Sequence, residues 1–159
     1  MKIILKYIIA RLWKNFGKVT DNVYRSGQFG PIRWRLTSLF LKIDLVIALN
    51  MNDSNEDEIW EKEFLKEKGI KHKCYDWGAS GNDKPGELEE VVSLIENNYR
   101  MGFSTIIHCA GGKDRTGGAI GAWMGRKTQG TRYQFVDMCR IHGVPSNGWL
   151  KTIFDAFWA

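Results

Sequence analysis

An α/β fold with one mainly parallel sheet of about four to five strands, flanked by helices, follows from three features of this sequence. Short apolar runs rich in branched residues, "KIDLVIALN" at 42–50 and "STIIHC" at 104–109, have the length of strands buried on both faces. Stretches with helical spacing alternate with them, as right-handed crossovers between parallel strands require. Glycine-rich segments follow strands directly, at the carboxyl ends where such sheets bind their ligands.

Taken in order, the elements justify this reading. The opening "MKIILKYIIARLWKNFGK" starts basic and apolar, but Lys6 interrupts the run and Arg11 follows without a small-residue cleavage site, which argues against a secretory signal. Leu5, Ile8, Ile9, Leu12, Trp13 and Phe16 instead repeat at helical spacing. Residues 1–20 are therefore expected to form an amphipathic helix, packed on the domain or contacting a membrane surface through residues 2–16. The domain proper spans 21–159. Its first segment, "DNVYRSGQFGP" at 21–31, gives a brief strand and a loop. "NDSNEDEIWEKEFLKEKG" has an acidic start, a basic end, and Trp60 and Phe64 one turn apart, which predicts a helix closing at Gly69. "IKHKCYDW" at 70–77 reads as a strand that opens into the loop "GASGNDKPG". Leu88, Val91, Val92, Ile95 and Tyr99 share one helical face, and three more helices are expected at 116–127, 131–142 and 147–158. No segment is long enough to span a bilayer.

Composition narrows the function classes. A chain of 159 residues, 43% of them hydrophobic, has material for one sizeable core, and three prolines are too few for a disordered protein. The excess of Lys and Arg gives a formal +5, favouring anionic partners: phosphorylated small molecules, nucleic acid or acidic lipid. Cys74, Cys109 and Cys139 form neither an even-numbered disulfide framework nor a C-x-x-C pair, so a reduced, cytoplasmic setting is expected.

The segment "HCAGGKDRTGG" at 108–118 carries the chemistry. It places a glycine-rich loop between a strand ending at His108 and a helix starting near Arg115, so successive backbone N–H groups converge before a helix N-terminus and favour an anion. A thiol in that field is drawn toward thiolate. Arg115, six positions after Cys109, returns to the same ligand with a planar fork that matches two phosphoryl oxygens, and the Thr116 hydroxyl reaches the sulfur. A nucleotide P-loop is excluded, because Asp114 follows Lys113 where Ser or Thr is required, and Ile107 stands in place of the first glycine.

The stretch "IIHCAGGKDRTGG" resembles the H-C-x5-R-[ST] signature of the cysteine-dependent protein tyrosine and dual-specificity phosphatase superfamily. "NVYRSGQ", "IDLVIALN" and "EKGIKHKCYDW" resemble upstream segments of its compact members, so the likeness covers residues 22–142. It implies a dual-specificity-phosphatase-like fold and a phosphomonoester hydrolase working through a cysteinyl-phosphate, with no metal or organic cofactor. It further implies that Cys109 attacks, Arg115 binds the phosphoryl group with the loop Ala110, Gly111, Gly112, Lys113 and Asp114, and His108 and Thr116 support the sulfur. The implied general acid is an Asp on a loop after a strand. Asp76 fits best; Asp83 in "NDKPG", which an N-cap role also explains, and Asp114 in the loop itself are the alternatives.

Lys113 reads either as a second pocket charge, suited to polyphosphorylated inositol rings, or as a solvent-facing lysine. Arg25 reads as pocket lining or, better, as a structural hydrogen-bonding group. Cys74 reads as a buried strand cysteine or as a thiol that traps an oxidised Cys109. The expected substrate is a phosphoprotein, a phosphoinositide or an inositol phosphate, handled by a monomer. The alternatives are a non-catalytic phosphate-binding module, an RNA 5′-phosphatase, and thiol redox or sulfur-transfer chemistry on a similar loop.

Overall fold

A computed structural model of the chain describes residues 15–78 and 85–128. Five strands, Gly17–Lys18 (β1), Val23–Gly27 (β2), Leu45–Ala48 (β3), Lys71–Cys74 (β4) and Thr105–Cys109 (β5), form one sheet in the order β1-β2-β5-β3-β4. Only β1 runs antiparallel to its neighbour; β2, β5, β3 and β4 are parallel. The helices are Pro31–Phe40 (α1), Glu56–Glu67 (α2), Pro85–Arg100 (α3) and Asp114–Thr128 (α4). The expected α/β class, with its five-stranded and mostly parallel sheet, is the one observed.

Strand alternation divides the interior into two cores, one on each face of the sheet. Leu45, Ile47, Ile107 and Cys109 face α3 and α4, where they pack with Leu88, Val91, Val92, Ile95, Ala119, Ile120 and Trp123. Val46 and Ile106 face the other way, onto Trp34 of α1 and Phe64 and Leu65 of α2. His108 lies between Ile107 and Cys109 and points with Ile106 toward α1 and α2. Two consecutive residues of β5 therefore serve opposite faces, the thiol toward α4 and the imidazole toward α2.

Helix α2 forms where its sequence says it should. Asn55 caps it by accepting a 3.0 Å hydrogen bond from Glu58 N, Glu56, Asp57 and Glu58 fill its first turn, and Gly69 leaves it at φ +67°. Helix α1 has no sequence signature of that kind. Gly30 offers no side-chain cap, the first turn holds no acidic residue, and Ile32, Leu36, Leu39 and Phe40 are exposed while Trp34 and Thr37 are buried. With apolar residues on both faces, the stretch after Pro31 lacks amphipathic contrast, and sequence reasoning missed it.

Two expectations are corrected. The helix expected over residues 1–20 does not run to its end, because Asn15 adopts φ +56° and Gly17–Lys18 pair with Tyr24 and Arg25 as β1. Phe16 is not on a helical face there but stacks on Tyr24, centroids 5.9 Å apart, and leans on Phe29 at 5.9 Å. Cys74 is exposed rather than buried, since β4 is an edge strand. In register it neighbours Ala48, which neighbours His108, so it sits on the face opposite Cys109 and is not placed to trap it. The remainder of the N-terminal helix, Asp83, Cys139 and the helices expected at 131–142 and 147–158 lie outside the described residues. Among the described residues, no helix is long and apolar enough to cross a membrane.

Candidate active site

The carboxyl ends of β2, β5 and β3 converge on residues 108–115. Cys109 ends β5 at 2% exposure, and Asp114 opens α4, so the intervening loop stands before that helix's N-terminus. The loop is pinned from three sides. Asn15 Nδ2 donates to Gly111 O at 2.6 Å, Arg25 Nη2 donates to Gly112 O at 2.6 Å, and the backbone N–H of Gln28 donates to Ala110 O at 3.3 Å. Arg25 is thus placed as a structural donor. Its guanidinium is half-buried, and burial holds its pKa below the ordinary value against the opposing influence of Cys109.

Burial is the largest influence on the Cys109 thiol and opposes its ionisation. The Thr116 hydroxyl and N–H, the Arg115 charge and the Gly112 N–H together outweigh it and hold the thiol below its ordinary 9.0. Thr116 Oγ1 is buried and makes no hydrogen bond among the described residues, and its influence on Cys109 favours the thiolate. Arg115 is half-buried, and its Nη1 donates to Trp77 O at 2.8 Å. Lys113 is exposed on the loop.

That bond to Trp77 links the loop to the candidate acid. Trp77, 1% exposed, also donates from Nε1 to Glu87 Oε2 on α3 at 2.8 Å, so the backbone after β4 is held between α3 and Arg115. Asp76, the residue before it, is exposed and forms an isolated bridge with Asn50 beyond β3. Asp114 is half-buried in the first turn of α4, five positions after the thiol. The structure brings together Cys109, Arg115, Thr116 and the strand end carrying Asp76.

Behind the loop lies a group that sequence reasoning missed. Glu61 of α2 is fully buried and accepts from four side chains: His108 Nε2 at 2.8 Å and His72 Nε2 at 3.2 Å on Oε1, Trp34 Nε1 at 2.9 Å and Gln28 Nε2 at 3.1 Å on Oε2. Burial alone would raise its pKa, but the two imidazoles pull it down to about 2, so the carboxylate is ionised. His72 is raised despite its burial, through Cys74 and Glu61. Donor atoms of Glu61, His72 and His108 lie within 4.8 Å of one another, the closeness a metal site shows. The spacing fits hydrogen bonds better: tetrahedral donors about 2 Å from a shared ion stand about 3.3 Å apart, and His108 is closer to the carboxylate than that. No signal in "EDEIWEKEF" separates Glu61 from its neighbours; only the fold shows which glutamate faces β5.

No protein-family model matches the sequence, and no curated protein matches it. Solved structures do. Tk-PTP in its active form is 21% identical, with a TM-score of 0.70 over 91% of this chain and 97% of that one. The catalytic core of Siw14, a PP-IP phosphatase from S. cerevisiae, is 22% identical with a TM-score of 0.70 over 92% and 85% of the two chains. PTPMT1, solved in complex with PI(5)P, is 14% identical with a TM-score of 0.70 over 89% and 93%. The fold is that of the cysteine-dependent tyrosine and dual-specificity phosphatases. At the end of its central strand this chain carries the H-C-x5-R-T sequence, from His108 to Thr116.

Proposed function

We propose that the protein is a phosphomonoester hydrolase acting through a cysteinyl-phosphate intermediate. The observation that carries this reading is the Cys109 thiol, drawn below its ordinary pKa at the mouth of a glycine-rich loop that also presents Arg115. The Cys109 thiolate attacks phosphorus; an S–P bond forms as the P–O bond to the leaving group breaks, and Asp76 gives that oxygen a proton. Water then attacks the phosphocysteine, Asp76 takes a proton from it, and inorganic phosphate leaves with the thiolate restored. Loop N–H groups and the Arg115 fork hold the equatorial oxygens through both steps. No step calls for a metal or an organic cofactor.

The substrates supported are phosphorylated inositol rings, free or as lipid headgroups, and phosphoproteins. The net charge, the exposed Lys113 beside Arg115, and the likeness to Siw14, a PP-IP phosphatase, and to PTPMT1, solved with PI(5)P, support the first; the likeness to Tk-PTP supports the second. A turnover panel of phosphotyrosine peptide, soluble phosphoinositides, inositol polyphosphates and 5′-triphosphorylated RNA separates them.

A generic aryl phosphate tests the chemistry. Cys109→Ser is expected to abolish its hydrolysis with the fold retained, and vanadate to inhibit the unmodified protein; a Cys109→Ser protein that still turns over ends the reading. Asp76→Asn is expected to lower kcat about 100-fold for poor leaving groups and far less for p-nitrophenol. If leaving-group dependence stays unchanged, the acid is Asp114 or Asp83 instead.

A further inference from the structure

The carboxylate behind the loop reaches both residues that flank the nucleophile. On one side, Glu61 Oε1 holds the ring of His108, the residue before Cys109, at 2.8 Å. On the other, Glu61 Oε2 takes the Gln28 amide at 3.1 Å, and Gln28's backbone N–H holds the carbonyl of Ala110, the residue after Cys109, at 3.3 Å. The Gln28 amide is itself oriented, because Asn50 Nδ2 donates to its Oε1 at 3.1 Å, turning Nε2 toward Glu61. Asn50 is the residue whose backbone bridges Asp76. One buried group is thus connected to the strand end before the thiol, the loop after it and the segment carrying the candidate acid.

We propose that Glu61 is a positioning residue for Cys109, holding residues 108 and 110 so that the Thr116 and Gly112 donors stay aligned on the sulfur. A buried carboxylate without full compensation costs several kcal/mol, so a helix residue placed here with four donors is an arrangement that simple packing would replace with an apolar side chain. The role parallels that of carboxylates that fix an imidazole's orientation from behind: Glu61 holds the His108 ring through Nε2, while Nδ1 is buried without a partner among the described residues. The two candidate effects of Glu61 on the thiol have opposite signs. As a nearby anion it would raise the thiol pKa, and its removal would lower it; as a positioning group it keeps the donors aligned, and its removal raises it.

The test follows site-resolved alkylation of Cys109 by iodoacetamide against pH, with Cys74 read separately in the same digest. Glu61→Gln is expected to move the Cys109 midpoint up by about one pH unit and to lower kcat for the aryl phosphate about tenfold with KM nearly unchanged. Gln28→Ala, which cuts only the second route, is expected to move it up by less. Trp34→Phe removes a donor from the same carboxylate while keeping an aromatic ring against His108 and both hydrogen-bonded routes, and is expected to lower the melting temperature and leave the midpoint in place. A midpoint that stays or falls in both Glu61→Gln and Gln28→Ala overturns the proposal, as does Trp34→Phe moving it as far as they do. Should Glu61→Gln fail to fold, the comparison of Gln28→Ala with Trp34→Phe decides alone. The proposal rests on the phosphatase reading only for its effect on kcat; alkylation uses no phosphate ester, so the two readings fail separately.

Discussion

At Gly112 the backbone adopts φ +65°, and a Cβ there would lie 2.4 Å from Gly27 N and 2.4 Å from Ser26 C, both main-chain atoms of β2. An alanine therefore pays twice, in left-handed strain and in forcing the loop off the strand that seats it. Gly112→Ala is expected to destabilise the fold by about 1–3 kcal/mol in denaturant unfolding and to reduce kcat/KM at least tenfold, since the Gly112 N–H is among the donors on Cys109. Gly111→Ala meets nothing within 4 Å and supplies the control. The sequence motif contains both glycines and does not distinguish them. It made the grouping of Cys109, Arg115 and Thr116 legible because those residues lie within seven positions of one another. Glu61, forty-seven positions from its imidazole partner, was not legible, because a glutamate in an acidic amphipathic helix looks like a solvated one.

At the scale of elements, α2 is fastened to the sheet by charge as well as by Phe64 and Leu65, and this gives its attachment a pH window. Glu61 falls from an ordinary 4.5 to about 2 in the folded protein, so its contribution is whole above pH 4.5 and is lost as pH drops toward 2. His72, raised from 6.5, works in the opposite sense: its contribution is whole below pH 6.5 and is lost as pH rises through its folded value. Unfolding free energy measured across pH is therefore expected to peak between about 4.5 and 6.5. His72→Gln is expected to flatten the alkaline side while leaving the acid fall; an unchanged alkaline slope would show that His72 is not coupled to Glu61. The same scale explains what sequence reading recovered. Elements with caps, charge gradients or branched runs, namely α2, β3 and β5, were legible. The helix α1, apolar on both sides and uncapped, took its structure from Trp34 entering the core between Phe29 and His108, a contact that no local pattern announces.

At the scale of the whole molecule, the parallel sheet points the carboxyl ends of β2, β3 and β5 to one side, and the loop with Lys113 and Arg115 stands there. Beneath that loop the ionised Glu61 lies against His72 and His108, while Lys113 is exposed at the mouth and the chain carries a formal +5. A phosphate dianion approaching this side is steered by that positive charge, and steering is screened once the Debye length shrinks from about 14 Å at 0.05 M salt to about 4 Å at 0.5 M. For the aryl phosphate, kcat/KM is expected to fall several-fold over that range through KM, with kcat nearly constant, because in the proposed mechanism the Arg115 fork lies too close to the phosphoryl group to be screened. The slope is expected to steepen with each added phosphate on the substrate and to become shallower in Lys113→Ala. Stopped-flow or initial-rate measurements at matched pH read both quantities. A kcat/KM indifferent to salt for a polyphosphorylated substrate would place the net charge away from the mouth and remove the electrostatic argument for multiply charged substrates, while leaving the thiol chemistry at Cys109 intact.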